Sequence, residues 1–414
     1  MNTRTDTGLV LPAPRPATPS WWSTFLRRAL ERLLRHARCG SLLVELPDGS
    51  RLQAEGSEPG PQATLTLHRW RPLRRLLWQG DLGLAESYRD GDWSSSDLTA
   101  LLCYGAHNEA AWGDALSGSR LAAWTSRLAH LAHQNTRRGS RHNIAYHYDL
   151  GNAFYAQWLD ESMLYSSALY ERGDETLEQA QAARLQRILD LVDAPTGAQV
   201  LEIGCGWGTL ASALARQHGA QVTALTLSTE QLSHASARAA RDGVADQVDV
   251  RLQDYRDVQG RYDRIVSIEM IEAVGEAYWP TYFRTLADRL RRGGHAVLQA
   301  ITIDEPYFER YRRGADFIQR HIFPGGMLPT VNAMAHEAQR AGLRLEVNQQ
   351  FGLGYAATLA AWRRRFLAAW PTIEALGFGG SFKRLWEYYL CYCEAGFRSG
   401  RITVGLYTLR PQAA

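Results

Sequence analysis

Residues Val200–Gly208 read Val-Leu-Glu-Ile-Gly-Cys-Gly-Trp-Gly. A short apolar run with one acid breaks into a loop that has glycine at every second position. The run has the length of a buried parallel strand, and the glycines let backbone amides come close to a ligand. After Thr209 the apolar residues take helical spacing. The segment therefore predicts a strand, a loop and a helix, the unit that binds nucleoside-containing cofactors at the carboxyl end of the first strand of a doubly wound sheet.

The spacing distinguishes between cofactors. A dinucleotide fingerprint runs G-x-G-x-x-G and wants an acid about 20 residues further on for the ribose. Here Gly204, Gly206 and Gly208 follow G-x-G-x-G, and the next expected strand, Gln221–Thr226, ends in Thr226-Leu227-Ser228 without a carboxylate. This favours S-adenosylmethionine over a nicotinamide.

Outward from this unit, strands are expected at Gln199–Ile203, Gln221–Thr226, Val248–Leu252, Arg264–Ile268, Ala296–Ile301, Leu343–Asn348 and Arg401–Leu409. Helical patterns separate the first five, the signature of a parallel sheet covered on both faces. The last two lack a simple crossover, which fits an antiparallel final strand. A helix over Thr176–Val192 precedes the first strand. Asp304–Thr330, aromatic and basic with a break at Pro324–Gly326, is long enough to form a lid or substrate wall.

Towards the N-terminus, Trp21–His36 predicts an amphipathic helix, with Trp22, Phe25, Leu26, Leu30, Leu33 and Leu34 opposite a row of arginines. Its polar face suits a membrane surface, and its apolar face suits core packing equally. Strands at Ser41–Leu46, Arg51–Gln53 and Ala63–His68 and helices at Leu82–Tyr88 and Asp97–Tyr104 make a small α+β domain. The expected organisation is a flexible N-terminus over 1–20, a small domain over 21–110, a helical linker over 111–141 and the cofactor domain over 142–414.

Composition narrows the class. With 414 residues, 45% hydrophobic and 21% charged, the chain is that of a soluble two-domain protein without a membrane-spanning segment. Residues 1–20 lack the apolar core of a signal peptide, so a cytoplasmic location is expected. Five cysteines (Cys39, Cys103, Cys205, Cys391, Cys393) are scattered, an arrangement that suits reduced thiols and no metal site. Net charge is only +3. Arginines nonetheless gather in three groups: Arg27, Arg28, Arg32, Arg35 and Arg38; Arg69, Arg71, Arg74 and Arg75; and Arg137, Arg138 and Arg141. Guanidinium groups suit bidentate phosphate contacts, so an anionic surface is expected, although each cluster could equally be a solvated helix face.

Several motifs then occur in one order: His147-Tyr148-Asp149, Met163-Leu164-Tyr165-Ser166, Val200–Gly208, Thr226-Leu227-Ser228, Gln253-Asp254-Tyr255-Arg256, Arg264–Glu272 and Phe323-Pro324-Gly325-Gly326. In these the chain resembles the cyclopropane-fatty-acyl-phospholipid synthases, closely from His142 onward and more loosely over Leu42–Leu102. The resemblance implies a Rossmann-like class I methyltransferase domain, with a seven-stranded sheet whose last strand is antiparallel, behind a smaller lipid-facing α+β domain. It implies transfer of the S-adenosylmethionine methyl to the double bond of an unsaturated acyl chain in a membrane phospholipid.

Carried over by position, the cofactor would be held by Tyr165 and Ser166, by Glu202, Gly204, Cys205, Gly206 and Gly208, by Thr226, Leu227, Ser228 and Gln231, and by Gln253 and Asp254. Loop amides could meet the methionine carboxylate and Glu202 its ammonium. Tyr165 could equally be core, and Asp254 a helix cap. In the family a bound bicarbonate takes the proton from the transferred methyl, held by a Cys, a Glu, a His and a Tyr together with backbone. Glu272 and Tyr355 match the Glu and the Tyr, whereas Ser167 and Gln299 stand at the Cys and His positions. Ser and Gln can donate hydrogen bonds to an anion but carry no positive charge. Bicarbonate binding is thus in doubt, and two outcomes stay open: a cyclopropane, or a methyl- or methylene-branched chain. Cys393 matches a C-terminal cysteine of the family; in a Tyr-rich helical segment a Cys also serves as a small buried hydrophobe.

The expected partners are membrane phospholipids at the inner membrane surface, with no nucleic acid, and the resemblance suggests a second copy of the chain in a homodimer. A methyltransferase for a small soluble acceptor and a non-catalytic lipid-binding protein remain the alternatives.

Overall fold

The structure is a computed structural model that describes residues 21–116 and 150–412. The expected N-terminal tail, the Arg137, Arg138 and Arg141 cluster, His147-Tyr148-Asp149 and most of the proposed linker lie outside the described residues.

Seven strands form the main sheet: β5 (Gln199–Ile203), β6 (Gln221–Thr226), β7 (Val248–Leu252), β8 (Tyr262–Ile268), β9 (Leu290–Ile303), β10 (Leu343–Gln350) and β11 (Ile402–Pro411). Their spatial order is β10-β11-β9-β8-β5-β6-β7. Strands β5 to β9 pair in parallel, and β11 lies antiparallel to both β9 and β10. This is the expected Rossmann-like α/β architecture. From β5 the chain winds out to β6 and β7, then returns to add β8 on the other side. The reversal leaves a crevice between β5 and β8 at their carboxyl ends, where ligands of open α/β sheets bind.

Local chemistry sets the elements. Val200, Leu201 and Ile203 are buried in β5; Val200 shares a cluster with helices Leu177–Val192 and Thr209–His218, and Leu201 and Ile203 share another with helix Trp279–Arg289. Thr176 caps the first of these helices in a capping box with Gln179, satisfying backbone donors that helix ends leave open. Between β10 and β11 the chain inserts three helices, Gly352–Ala368, Trp370–Ala375 and Gly380–Arg398.

The N-terminal part is a four-stranded sheet, ordered β2-β1-β3-β4, of β1 (Cys39–Glu45), β2 (Arg51–Glu55), β3 (Glu58–Leu67) and β4 (Trp93–Ser94). Helix Trp21–Leu34 turns Leu26, Leu30 and Leu34 inward. Helix Leu98–Leu116 runs past the boundary expected at 110, so no break falls there. It packs on the C-terminal helix Gly380–Arg398. Glu109 ion-pairs with Arg310 and Arg401, and Thr99 donates to Glu394. Leucines of the N-terminal sheet therefore share one hydrophobic cluster with Trp362, Trp386 and Tyr389 of the cofactor domain.

Part of the arginine group at 69–75 is engaged within the fold. Arg71 and Arg75 lie in a helix unforeseen from the sequence, Arg71–Gln79, and pair with Asp90 and Asp92. No helix among the described residues is long and apolar enough to cross a membrane.

Candidate active site

The crevice opens into a cavity of about 1950 Å³ that reaches from the glycine loop to the N-terminal helices. At its inner end the three glycines serve different purposes. All have positive φ. A Cβ on Gly208 would lie 2.8 Å from Cβ of Ala235, so Gly208 lets helix Thr229–Arg241 pack closely. A Cβ on Gly204 would meet Met270 at 3.2 Å, whereas nothing lies within 4 Å at Gly206. The amides of Gly204 and Cys205 both donate to the Leu225 carbonyl, and Gly208 donates to Cys205. The loop amides expected to meet a methionine carboxylate thus narrow to the turn at Gly206.

The other proposed cofactor residues divide. Tyr165, Ser166, Glu202, Cys205, Gly206 and Gly204 line the cavity, as do Thr226, Leu227, Gln231 and Gln253. Ser228 and Asp254 do not: Ser228 caps the helix that Thr229 begins, and Asp254 caps a short turn and pairs with Arg256 at 2.6 Å. Both take the structural role. Glu202 is almost fully buried and its Oε2 has no hydrogen-bond partner. Burial pushes its carboxyl up to about 8, opposed by the Ala211 amide. A buried acid beside a cavity with one oxygen unpartnered is fitted to a cationic guest, and the ammonium of a methionine moiety is one.

The bicarbonate positions behave otherwise. Ser167 Oγ donates to the neighbouring Ala168 carbonyl, so the hydroxyl expected to hold an anion turns away. Its backbone amide instead donates to Oε1 of Glu269 at 3.0 Å. Gln299 Nε2 donates to the same oxygen at 2.6 Å, and the Tyr355 hydroxyl donates to Oε2 at 2.7 Å. Three of the four carried-over positions therefore converge on a carboxylate of this chain. Glu272 aims elsewhere, accepting from the Ile301 amide. The residues do not fit bicarbonate: the donors that would hold it are satisfied by Glu269.

Glu269 escaped notice in the sequence, as did Arg184. Glu269 follows β8 at its carboxyl end with φ +48°, a left-handed conformation costly for a residue with a Cβ. An acid directly after a buried parallel strand was the available signal. Arg184 is buried on helix Leu177–Val192 and donates to Gln299 Oε1 at 3.3 Å. Because guanidinium only donates, this contact orients the amide so that its NH2 faces Glu269. Burial raises the Glu269 carboxyl, with Tyr355, the Ser167 amide, Arg184 and Gln299 pulling it back. Burial, then the nearby charge of Glu269, pushes Glu272 up to about 8.

A profile of the mycolic acid cyclopropane synthetase family matches residues 134–406. The chain belongs to that family. It is a methyltransferase of the cyclopropane synthase type, dependent on S-adenosylmethionine. It is 37% identical over 97% of its length to the tuberculostearic acid methyltransferase UfaA1 of Mycobacterium tuberculosis, spanning 94% of that protein. It is 36% identical to the cyclopropane-fatty-acyl-phospholipid synthase of Escherichia coli, over 79% of this chain and 82% of the other. Among solved structures, the mycolic acid cyclopropane synthase CmaA1 complexed with SAH and CTAB superposes with a TM-score of 0.60 at 31% identity, covering 65% of this chain and 97% of that one. Together these relatives identify an enzyme that modifies lipid acyl chains.

The remaining expected residues fall around the same cavity. Tyr165 shares a hydroxyl hydrogen bond with Tyr389 at 2.8 Å, and its ring packs on Trp158 and Trp362. Cys393 lines the cavity, but burial holds its thiol far above the ordinary range, which suits a packing residue rather than a nucleophile.

Proposed function

We propose that this enzyme transfers the methyl of S-adenosylmethionine to the double bond of an unsaturated acyl chain in a membrane phospholipid. One observation carries the reading: a single cavity joins the glycine loop at Gly204 to apolar helices of the N-terminal part, among them Leu30, Leu73, Leu77 and Trp78. A channel with that lining receives a hydrocarbon, whereas a small polar acceptor would leave it empty.

S-adenosylmethionine supplies an electrophilic methyl. The residues do the rest. Glu202 and the loop at Gly206 hold and orient the donor, and the apolar walls exclude water, which would otherwise trap a cation. Attack by the alkene leaves positive charge on the neighbouring carbon of the chain, and the rings of Tyr165, Tyr355 and Tyr389 face the cavity where that charge forms.

The same helices supply a route to the membrane. Trp21 and Trp78 are 69% and 68% exposed, and Trp22 and Phe25 about half. Arg28, Arg32 and Arg35 are exposed on the same helix as Trp21 or just beyond it. Aromatic side chains beside arginines suit the headgroup boundary of an anionic bilayer.

The product reading divides between cyclopropane and branch. The near full-length match to a tuberculostearic acid methyltransferase favours the branch. The test uses cofactor with a CD3 methyl, vesicles of defined monounsaturated phospholipids and mass spectrometry of recovered chains. Two deuterons retained mean a proton left the methyl, giving a ring or a methylene; three mean a methyl branch. No label in lipid from a protein that binds cofactor would overturn the reading.

A further inference from the structure

We infer that Glu269 is the general base of this enzyme, an internal carboxylate occupying the place of a bound bicarbonate. The inference rests on the acyl-chain reading above, because the proton in question comes from the methyl delivered to a lipid alkene.

Four observations meet at this residue. The Ser167 amide, Gln299 Nε2 and the Tyr355 hydroxyl all donate to its two oxygens. A carboxylate offers about four acceptor sites, so three donors leave one open, on Oε2. Glu269 lines the same cavity as Gly204 and Tyr355, and it follows β8, the strand beside β5 at the crevice. Its backbone is held in the left-handed region, where the Glu269 amide donates to the Gln299 carbonyl at 2.8 Å. The fold thus accepts local strain to aim this carboxylate inward, as at other functional sites. Arg184 acts through Gln299 as a positioning residue and supplies the positive charge that Gln299 and Ser167 cannot.

The step balances without a co-reactant. As the alkene π pair forms the new carbon–carbon bond, the sulfur–methyl bond breaks and its pair stays on sulfur. Positive charge then sits on the adjacent chain carbon. Glu269 Oε2 takes a proton from the transferred methyl. The released C–H pair closes a cyclopropane or, if hydride has first moved from the methyl-bearing carbon, forms the methylene double bond. Glu269 becomes a neutral carboxylic acid and returns its proton to water between turnovers.

The experiment measures turnover of the full chain on monounsaturated phospholipid vesicles in CO2-free buffer, with and without millimolar bicarbonate. Wild type is expected to run at the same rate in both. E269Q should fall by roughly a hundredfold or more, as for loss of a positioned base, and bicarbonate should not restore it. E269G suits the left-handed backbone and vacates the site while keeping its three donors. Its lost activity should return with bicarbonate, and 13C-labelled bicarbonate should show exchange broadening with E269G but not with wild type. S-adenosylhomocysteine binding certifies each variant as folded; if E269G fails this check, E269Q and the wild-type response decide. Stimulation of wild type by bicarbonate, or E269Q at the wild-type rate, overturns the assignment. A wild type that labels no lipid at all indicts the acyl-chain reading instead.

Discussion

Glu269 and Glu272 present two carboxyl groups to one cavity from a single turn of chain, and the two are held differently. Glu269 accepts three hydrogen bonds, whereas Glu272 accepts from the Ile301 amide and leaves Oε2 without a partner. Two buried carboxylates side by side cannot both ionise cheaply, so the better-solvated partner keeps the charge. Glu272 is then the protonated member until about pH 8.

This arrangement sets a pH dependence of stability. Glu272 titrates near its ordinary 4.5 when unfolded and near 8 when folded, so the folded state binds the extra proton between those values. Stability contributed by that proton is complete below about 4.5 and is lost as pH climbs to about 8. Glu202 acts in the same direction over the same window. Thermal denaturation of the ligand-free protein should show Tm falling across this range. E272Q should flatten the slope by about one proton's worth, about 1.4 kcal/mol per pH unit. A slope unchanged in E272Q would contradict the assignment.

Cofactor binding should release a proton. Between about pH 5 and 8 the Glu202 carboxyl is neutral in the free protein, and an ammonium placed beside it favours the ionised form. Titration calorimetry in buffers of different ionisation enthalpy should report close to one proton released near pH 6.5. E202Q should abolish the release and weaken binding by about 10- to 100-fold, the scale of a charge-assisted hydrogen bond.

The glycine loop should tolerate methyl groups unequally. G208A combines a positive φ with a Cβ 2.8 Å from Ala235, and should cost about 1–3 kcal/mol in a denaturant titration. G206A has a similar backbone demand but open space, so its loss of stability should be the smaller. The reverse order would mean that helix Thr229–Arg241 does not pack as described.

The exposed aromatics should govern membrane association. W21A/W22A and W78A are each expected to lower sedimentation with anionic vesicles by about tenfold, in keeping with loss of interfacial anchors. Cofactor binding should be unchanged in both. Undiminished vesicle binding would assign these side chains to another contact.

The sequence exposed the parallel strands because their apolar runs are short, continuous and separated by helical spacing, and it exposed the β5 loop through its glycines. The terminal antiparallel strand β11 was also anticipated, whereas the three helices before it were recognised only as a Tyr-rich helical stretch. The cluster around Glu269 was legible only in pieces. Residues 167, 184, 269, 299 and 355 lie in five separate segments, and it is the pairing of β8 with β9, which sets Ile268 beside Gln299, that brings Glu269 to the Gln299 side chain. Nothing in the motif Ile268-Glu269-Met270 announces a left-handed glutamate. Asp254 looked chemically available because the sequence does not show that its carboxyl caps the turn it precedes and pairs with Arg256 two residues on, and the arginines at 71 and 75 looked available because Asp90 and Asp92 become their neighbours only in the folded chain.

The cavity that touches Trp78 at the surface and Gly204 in the crevice has both ends anchored in rigid elements. If a lipid headgroup rests among the exposed tryptophans, the depth between them works as a ruler. The reacting carbon is then counted from the ester end of the chain rather than from its terminal methyl. Acyl chains of different length with the double bond at the same distance from the headgroup would be equivalent substrates, and positional isomers of one chain would not.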